Sequence, residues 1–327
     1  MRIELPGLFD LQVNGFGGVD FNGTDLSAER VSESLARIRA TGVTRCLPTL
    51  VTSSFDRFAA NARVLARMAD PAIAGIHMEG PYISPDDGAR GAHPRAHVGP
   101  AGLDDFKRRQ DAADGRIALV TLAPEVDGAL RLIAHLTASD VRVAIGHTAA
   151  TPQQIADAIS AGATLATHLG NGCAQMLPRH PNPIWELLAA DGVLASLIAD
   201  GHHLSPSTMK AMVRAKGARS TILVSDAIAA AGCAPGTYAI GGVTCTLGEN
   251  GRVSLPDSPY LAGSSLTLDR AIANTVRFTG LSIDEVVPMA STIPAQYLGT
   301  TTSGTVTADW DADARELHIV RVTSELP

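Results

Sequence analysis

Carboxylates and imidazoles recur in one kind of place along this 327-residue chain, just after short apolar runs rich in β-branched residues. Glu79 closes Gly75-Ile76-His77-Met78-Glu79, and Glu125 follows Pro124. His147 follows Gly146, His168 follows Thr167, and Asp200 leads into Gly201-His202-His203. Asp226 follows Ser225, while Asp10, Gln12 and Asn14 alternate near the start. Taken singly, each has a plain structural role open to it, such as a buried salt bridge or cap for Glu79. Taken together, Glu79, His147 and His168 offer one carboxylate and two imidazoles. That donor set suits a catalytic zinc that keeps one position for water. Asp226 is then the natural general base, taking a proton from the attacking water and returning it to the leaving group.

These residues meet only if a fold gathers the ends of the apolar runs. The runs at 8–13, 44–49, 73–78, 117–122, 141–145, 164–167, 195–198 and 221–224 read as strands. Amphipathic, Ala-rich stretches at 27–41, 55–68, 126–138, 151–161 and 205–214 read as helices between them. Strand–helix alternation implies a parallel sheet with right-handed crossovers. Eight strands favour a closed (β/α)8 TIM-like barrel, whose chemistry sits where the strands end. After the eighth strand, 238–255 reads as a β-hairpin. Helices follow at 265–278, 283–289 and 294–298, and 304–322 reads as two short strands. The expected units are a barrel over 6–303, including that hairpin and those helices, and short C-terminal strands over 304–327.

Composition narrows the function classes. A net charge of −7 without a run of five like charges argues against a nucleic-acid surface. No apolar stretch approaches the ~18 residues of a membrane span. Glu4 and Pro6 stand where a secretory leader needs its apolar core, and the four cysteines form no CxxC pair. A cytoplasmic protein with reduced thiols is the expectation. The segment Asn14-Gly15-Phe16-Gly17-Gly18 lacks the GxGxxG spacing of a dinucleotide site.

Several segments, in order along nearly the whole chain, resemble the amidohydrolase superfamily and within it the N-acetylglucosamine-6-phosphate deacetylase family. They are Pro6-Gly7-Leu8-Phe9-Asp10-Leu11-Gln12-Val13-Asn14-Gly15, His77-Met78-Glu79-Gly80-Pro81, Gly91-Ala92-His93 and Gly146-His147-Thr148. Thr167-His168-Leu169-Gly170-Asn171, Asp200-Gly201-His202-His203, Val224-Ser225-Asp226-Ala227 and Ala262-Gly263-Ser264 complete the series. The resemblance implies a metal on Glu79, His147 and His168, with Asp226 as the catalytic acid/base. It implies substrate contacts from His203, Ala92 and His93, and a backbone-and-amide clamp on the sugar phosphate from Asn171 and Gly172. Arg179 falls on the family's phosphate arginine, which can reach a neighbouring subunit's site; barrels of this family usually dimerise, so the resemblance implies a homodimer. The substrate implied is a phosphorylated amino sugar, N-acetylglucosamine 6-phosphate, cleaved to acetate and glucosamine 6-phosphate.

This chain departs from the superfamily in two ways. Many members carry His-x-His after the first strand and hold two metals, whereas this chain has Gln12 and Asn14. Amides are poor ligands for a transition metal, so one divalent ion is expected, zinc first, with iron, cobalt or manganese also suited. The family also has a stretch before Pro-Gly that helps to build a small β-sandwich. Here only five residues precede Pro6, so that sandwich is expected to be reduced or absent. Two other readings compete: hydrolysis of another N-acyl compound, such as an N-acyl amino acid or an unphosphorylated N-acetyl sugar, and a barrel without catalysis. A cyclic-amide hydrolase needs a bridging lysine, and none lies between Lys107 and Lys210.

Overall fold

A computed structural model gives the structure and describes residues 1–256 and 261–323. Eight parallel strands lie in chain order, each bonded to the next. They are Leu8–Val13, Val43–Val51, Ile76–Glu79, Ile117–Leu122, Arg142–Ile145, Leu165–Ala166, Leu194–Leu197 and Thr221–Leu223, numbered here barrel strands one to eight. The ring closes just past the last strand. Val13 bridges Ala227 in parallel. Asp226 N–H donates to the Gln12 carbonyl at 3.0 Å, and Asn14 N–H to the Ala227 carbonyl at 2.7 Å. The expected (β/α)8 barrel is the fold, and every expected strand is present with its ends moved by a few residues.

The helices start where their sequences can satisfy free N–H groups. Ser27, Ser54 and Ser205 each accept a backbone N–H one turn on, opening Ala28–Arg39, Phe55–Ala66 and Pro206–Lys216. Thr151 and Gln154 form a reciprocal cap on Pro152–Ala161. The helix expected over 126–138 begins later, at Ala129. Gly128 before it has φ +83°, and a Cβ there would lie 2.3 Å from the Ala101 carbonyl oxygen. Leu103–Ala112 and Pro183–Ala189 are further helices that the sequence pattern does not announce. The first buries only Phe106, Arg109 and Ala112, and the second has seven residues.

Beyond the barrel, the expected hairpin is a three-stranded meander of Gly236–Ile240, Val243–Leu247 and Val253–Ser254. It has its own small core of Ile228, Ala230, Cys245, Leu247, Val253 and Ala262. The tail strands Thr305–Asp311 and Glu316–Thr323 pair as expected. Arg2–Pro6 adds a third antiparallel strand beside Thr305–Asp311. Among the described residues these three strands form one antiparallel sheet. Residues 324–327 of the expected C-terminal unit lie outside the described residues. All four cysteines are free thiols.

Asp10 ties the barrel seam. Its Oδ1 accepts the backbone N–H of Gln12 and that of Ser225, each at 3.2 Å. Burial pushes its carboxyl up to about 7, opposed by hydrogen bonds from Ser225 and Gln12. An unfolded Asp titrates near ~3.9, so the folded chain holds this proton more tightly. Its contribution to stability is full below the unfolded value and is lost as pH rises through about 7. Asp10→Asn should flatten the fall in unfolding free energy across that window, measured by urea titration at a series of pH values. Asp10→Ala strands two buried N–H groups and should cost about 1–3 kcal/mol.

Candidate active site

Barrel strand three ends on Glu79, and His147, His168 and Asp226 follow the ends of strands five, six and eight. The last three share an unusual backbone, with φ of +50° at His147, +30° at His168 and +50° at Asp226. Each such residue costs about 1–3 kcal/mol and persists only where its surroundings enforce it. The left-handed turn redirects the chain at the strand end and leaves each of these side chains on the barrel mouth.

Glu79 Oε1 lies 3.0 Å from His168 Nε2 and 3.3 Å from His147 Nε2. The two Nε2 atoms are 3.1 Å apart, and all three residues are buried. His147 Nδ1 donates to the Ala89 carbonyl at 3.0 Å, so its proton is on Nδ1 and Nε2 is free to act as a ligand. A bare imidazole nitrogen, a second imidazole and a carboxylate oxygen facing one another are the donor chemistry of a divalent ion. Among the described residues this is the one cluster of three such groups.

The amides of strand one hold the two carboxylates. Gln12 Nε2 donates to Glu79 Oε1 at 2.9 Å, and Asn14 Nδ2 donates to Asp226 Oδ1 at 2.7 Å. Gln12 lies in the strand and Asn14 just past its end, and both amides reach the carboxylates from there. Burial raises the Glu79 carboxyl, but its hydrogen bonds and charge pairing with His147 and His168 win and hold it well below the usual range. Asp226 goes the other way. Burial, then the charge of Glu79, push it up to about 6 despite His168, His203 and Asn14.

These groups open onto a cavity of about 700 Å³. The expected substrate residues Ala92, His93, Asn171, Gly172 and His203 all line it, with Glu79, His147, His168 and Asp226. His203 Nδ1 donates to Asp200 Oδ2 at 2.6 Å, which leaves Nε2 for a ligand. His93 Nδ1 pairs with Thr52 Oγ1 at 2.8 Å. Gly172 has φ +57°, and a Cβ there would sit 2.9 Å from His147 Nδ1, so the loop can press on that imidazole only as glycine. Arg179 is exposed and is not part of this wall. Sequence reasoning did not pick out Arg90 and Asp87, which do line it. The one available signal was that Arg90 adjoins Gly91-Ala92-His93.

Known proteins resemble this chain over most of its length. Residues 3–317 match the amidohydrolase family. An N-acetylglucosamine-6-phosphate deacetylase of Bacillus subtilis (strain 168) is 34% identical over 320 residues, covering 95% of this chain and 79% of that one. An N-acetylgalactosamine-6-phosphate deacetylase of Escherichia coli O157:H7 is 34% identical over 300 residues, covering 90% and 78%. A mutant N-acetyl-D-glucosamine-6-phosphate deacetylase of Mycobacterium smegmatis, solved in complex with N-acetyl-D-glucosamine-6-phosphate, superposes with a TM-score of 0.90. It is 30% identical, over 99% of this chain and 86% of that chain.

Gln12 touches the donor set only through Glu79. Gln12→Leu should weaken metal binding about 10–100-fold, read by chelator competition, while far-ultraviolet circular dichroism stays native.

Proposed function

This chain belongs to the amidohydrolase family, and on that premise we propose that it removes the N-acetyl group of N-acetylglucosamine 6-phosphate. The observation that carries this reading is the meeting of Glu79, His147 and His168 within 3.3 Å on the cavity that Asp226 also lines. We assign one divalent ion, zinc, to those three residues. When bound, the ion supplies Lewis acidity that polarises the amide carbonyl and acidifies water.

The chain's own residues do the rest. Asp226, raised to about 6, is ionised enough at neutral pH to take the proton of the attacking water. It is also acidic enough, once protonated, to give that proton to the departing amine. Asn14 holds Oδ1, which leaves Oδ2 as the proton-carrying atom. His203, aimed by Asp200 through Nδ1, presents its Nε2 lone pair to accept a hydrogen bond from a hydroxyl of the sugar. Asn171, Gly172, Ala92 and His93 orient the sugar, and their walls keep bulk water from the bond being broken.

The unit in this reading is a homodimer. Met176 and Trp185 are 89% and 56% exposed on the loop and helix that flank Arg179. A partner subunit packed there covers both and takes Arg179 to its own sugar phosphate. The four free thiols suit the cytoplasm. Among the described residues no helix is long and apolar enough to cross a membrane.

Acetate release from N-acetylglucosamine 6-phosphate, its galacto epimer and unphosphorylated N-acetylglucosamine tests the substrate. Preference for an unphosphorylated N-acyl compound would overturn it. Asp226→Asn, which suits the left-handed backbone, should keep its metal by elemental analysis and lose about 10²–10⁴-fold in kcat. In the unsubstituted enzyme kcat/KM should fall as pH drops through the Asp226 titration, because only the ionised carboxylate accepts the proton.

A further inference from the structure

The cavity wall carries three carboxylates, Glu79, Asp87 and Asp226. Among the described residues it carries one lysine or arginine, Arg90. A sugar phosphate entering a wall of this sign is drawn to a fixed cation. Arg179 lies outside its own chain's cavity and reaches a phosphate only across the dimer proposed above, which leaves Arg90 as the cation this wall itself supplies. The Arg90 guanidinium is only partly engaged. Nη1 donates to the His93 carbonyl at 2.7 Å, and Nη2 pairs with Asp87 Oδ1. Nε is buried and has no partner. A guanidinium has five N–H donors in a rigid fork, so two are anchored and three remain, one of them a buried orphan.

The two anchors differ in kind. The His93 carbonyl belongs to the backbone of the segment that also supplies His93 to the wall, so it fixes the fork's direction. Asp87 is an exposed partner, with its side chain 81% accessible against 18% for Arg90. An ion pair with one partner in water contributes little and exchanges readily. A phosphate accepts bidentately from the same fork and brings more charge than a carboxylate.

We propose that Arg90 binds the substrate's phosphate, with Asp87 as the placeholder that the phosphate displaces. This rests on the deacetylase reading and adds to it a phosphate-selecting residue within the same chain. A neutral sugar cannot displace Asp87, so the exchange itself selects for phosphorylated substrates.

The test compares metal-loaded wild type, Arg90→Gln, Arg90→Lys and Asp87→Asn on N-acetylglucosamine with and without the 6-phosphate. Arg90→Gln should raise KM for the phosphorylated sugar about 10–100-fold and cost the unphosphorylated sugar far less. Arg90→Lys should recover part of the loss, and Asp87→Asn should lower KM for the phosphorylated sugar. Equal losses on both sugars would reduce Arg90 to a brace for the His93 segment and overturn the proposal, as would no loss at all. Should wild type hydrolyse neither sugar, the deacetylase reading itself fails. Calorimetry with inorganic phosphate then decides Arg90 separately. Binding about tenfold weaker in Arg90→Gln supports it, while equal binding, or none in wild type, overturns it.

Discussion

The seam between barrel strands one and eight is the constraint on which the site depends. Seven neighbouring strand pairs are built by ordinary ladders, but the eighth junction is made past the end of the last strand. There Asp226 N–H meets the Gln12 carbonyl and Asn14 N–H meets the Ala227 carbonyl. The residues that close the ring also carry the polar side chains of the site. Gln12 reaches Glu79 and Asn14 reaches Asp226, so the closing contact sets both carboxylates at once. A slip of one residue at this seam would turn Gln12 and Asn14 out of the barrel and leave both carboxylates without their amides.

Placing the donor atoms is costly, and several features offset the cost. Three residues in left-handed conformation and a buried carboxylate facing two imidazoles are unfavourable for a chain on its own. Beneath them Thr121 Oγ1 lies 2.7 Å from His77 Nε2 and 2.7 Å from Thr167 Oγ1. This polar layer cross-ties strands three and four to the residue just before His168. It fixes the ends from which Glu79 and His168 project. From the other side, the Ala89 carbonyl and Gly172 hold the His147 ring. The His147 imidazole is thus oriented before any ligand arrives, which favours a tight ion site.

How much of this was legible in the sequence follows from what each residue needs. Glu79, His147, His168 and Asp226 could be read because such side chains are rarely buried without purpose and each follows an apolar run. Gln12 and Asn14 stood out as polar residues alternating inside a strand, but their hydrogen bonds depend on strand ends far away in the chain. Arg2–Pro6 is too short to announce itself, and its partner is the segment from Thr305 to Asp309. Arg90 was invisible for another reason. Its place is set by how the loop after strand three folds over the cavity, and loop packing leaves no period in a sequence. Resemblance did reach Arg179, yet it could not say that the side chain stands clear of its own cavity.

That difference between the two arginines bears on how a phosphorylated sugar is held. Glu79, Asp87 and Asp226 make the wall acidic before any ion or substrate arrives. A dianion brought against those groups in a partly dry cavity is repelled more strongly than in water. Glu79, His147 and His168 would hold a divalent ion, whose charge would offset that repulsion at the acetamide end. A cation at the phosphate end would relieve the repulsion there, from the partner subunit's Arg179 in the proposed dimer and, as we propose, from Arg90 within the chain, held by the backbone of His93 and paired with Asp87.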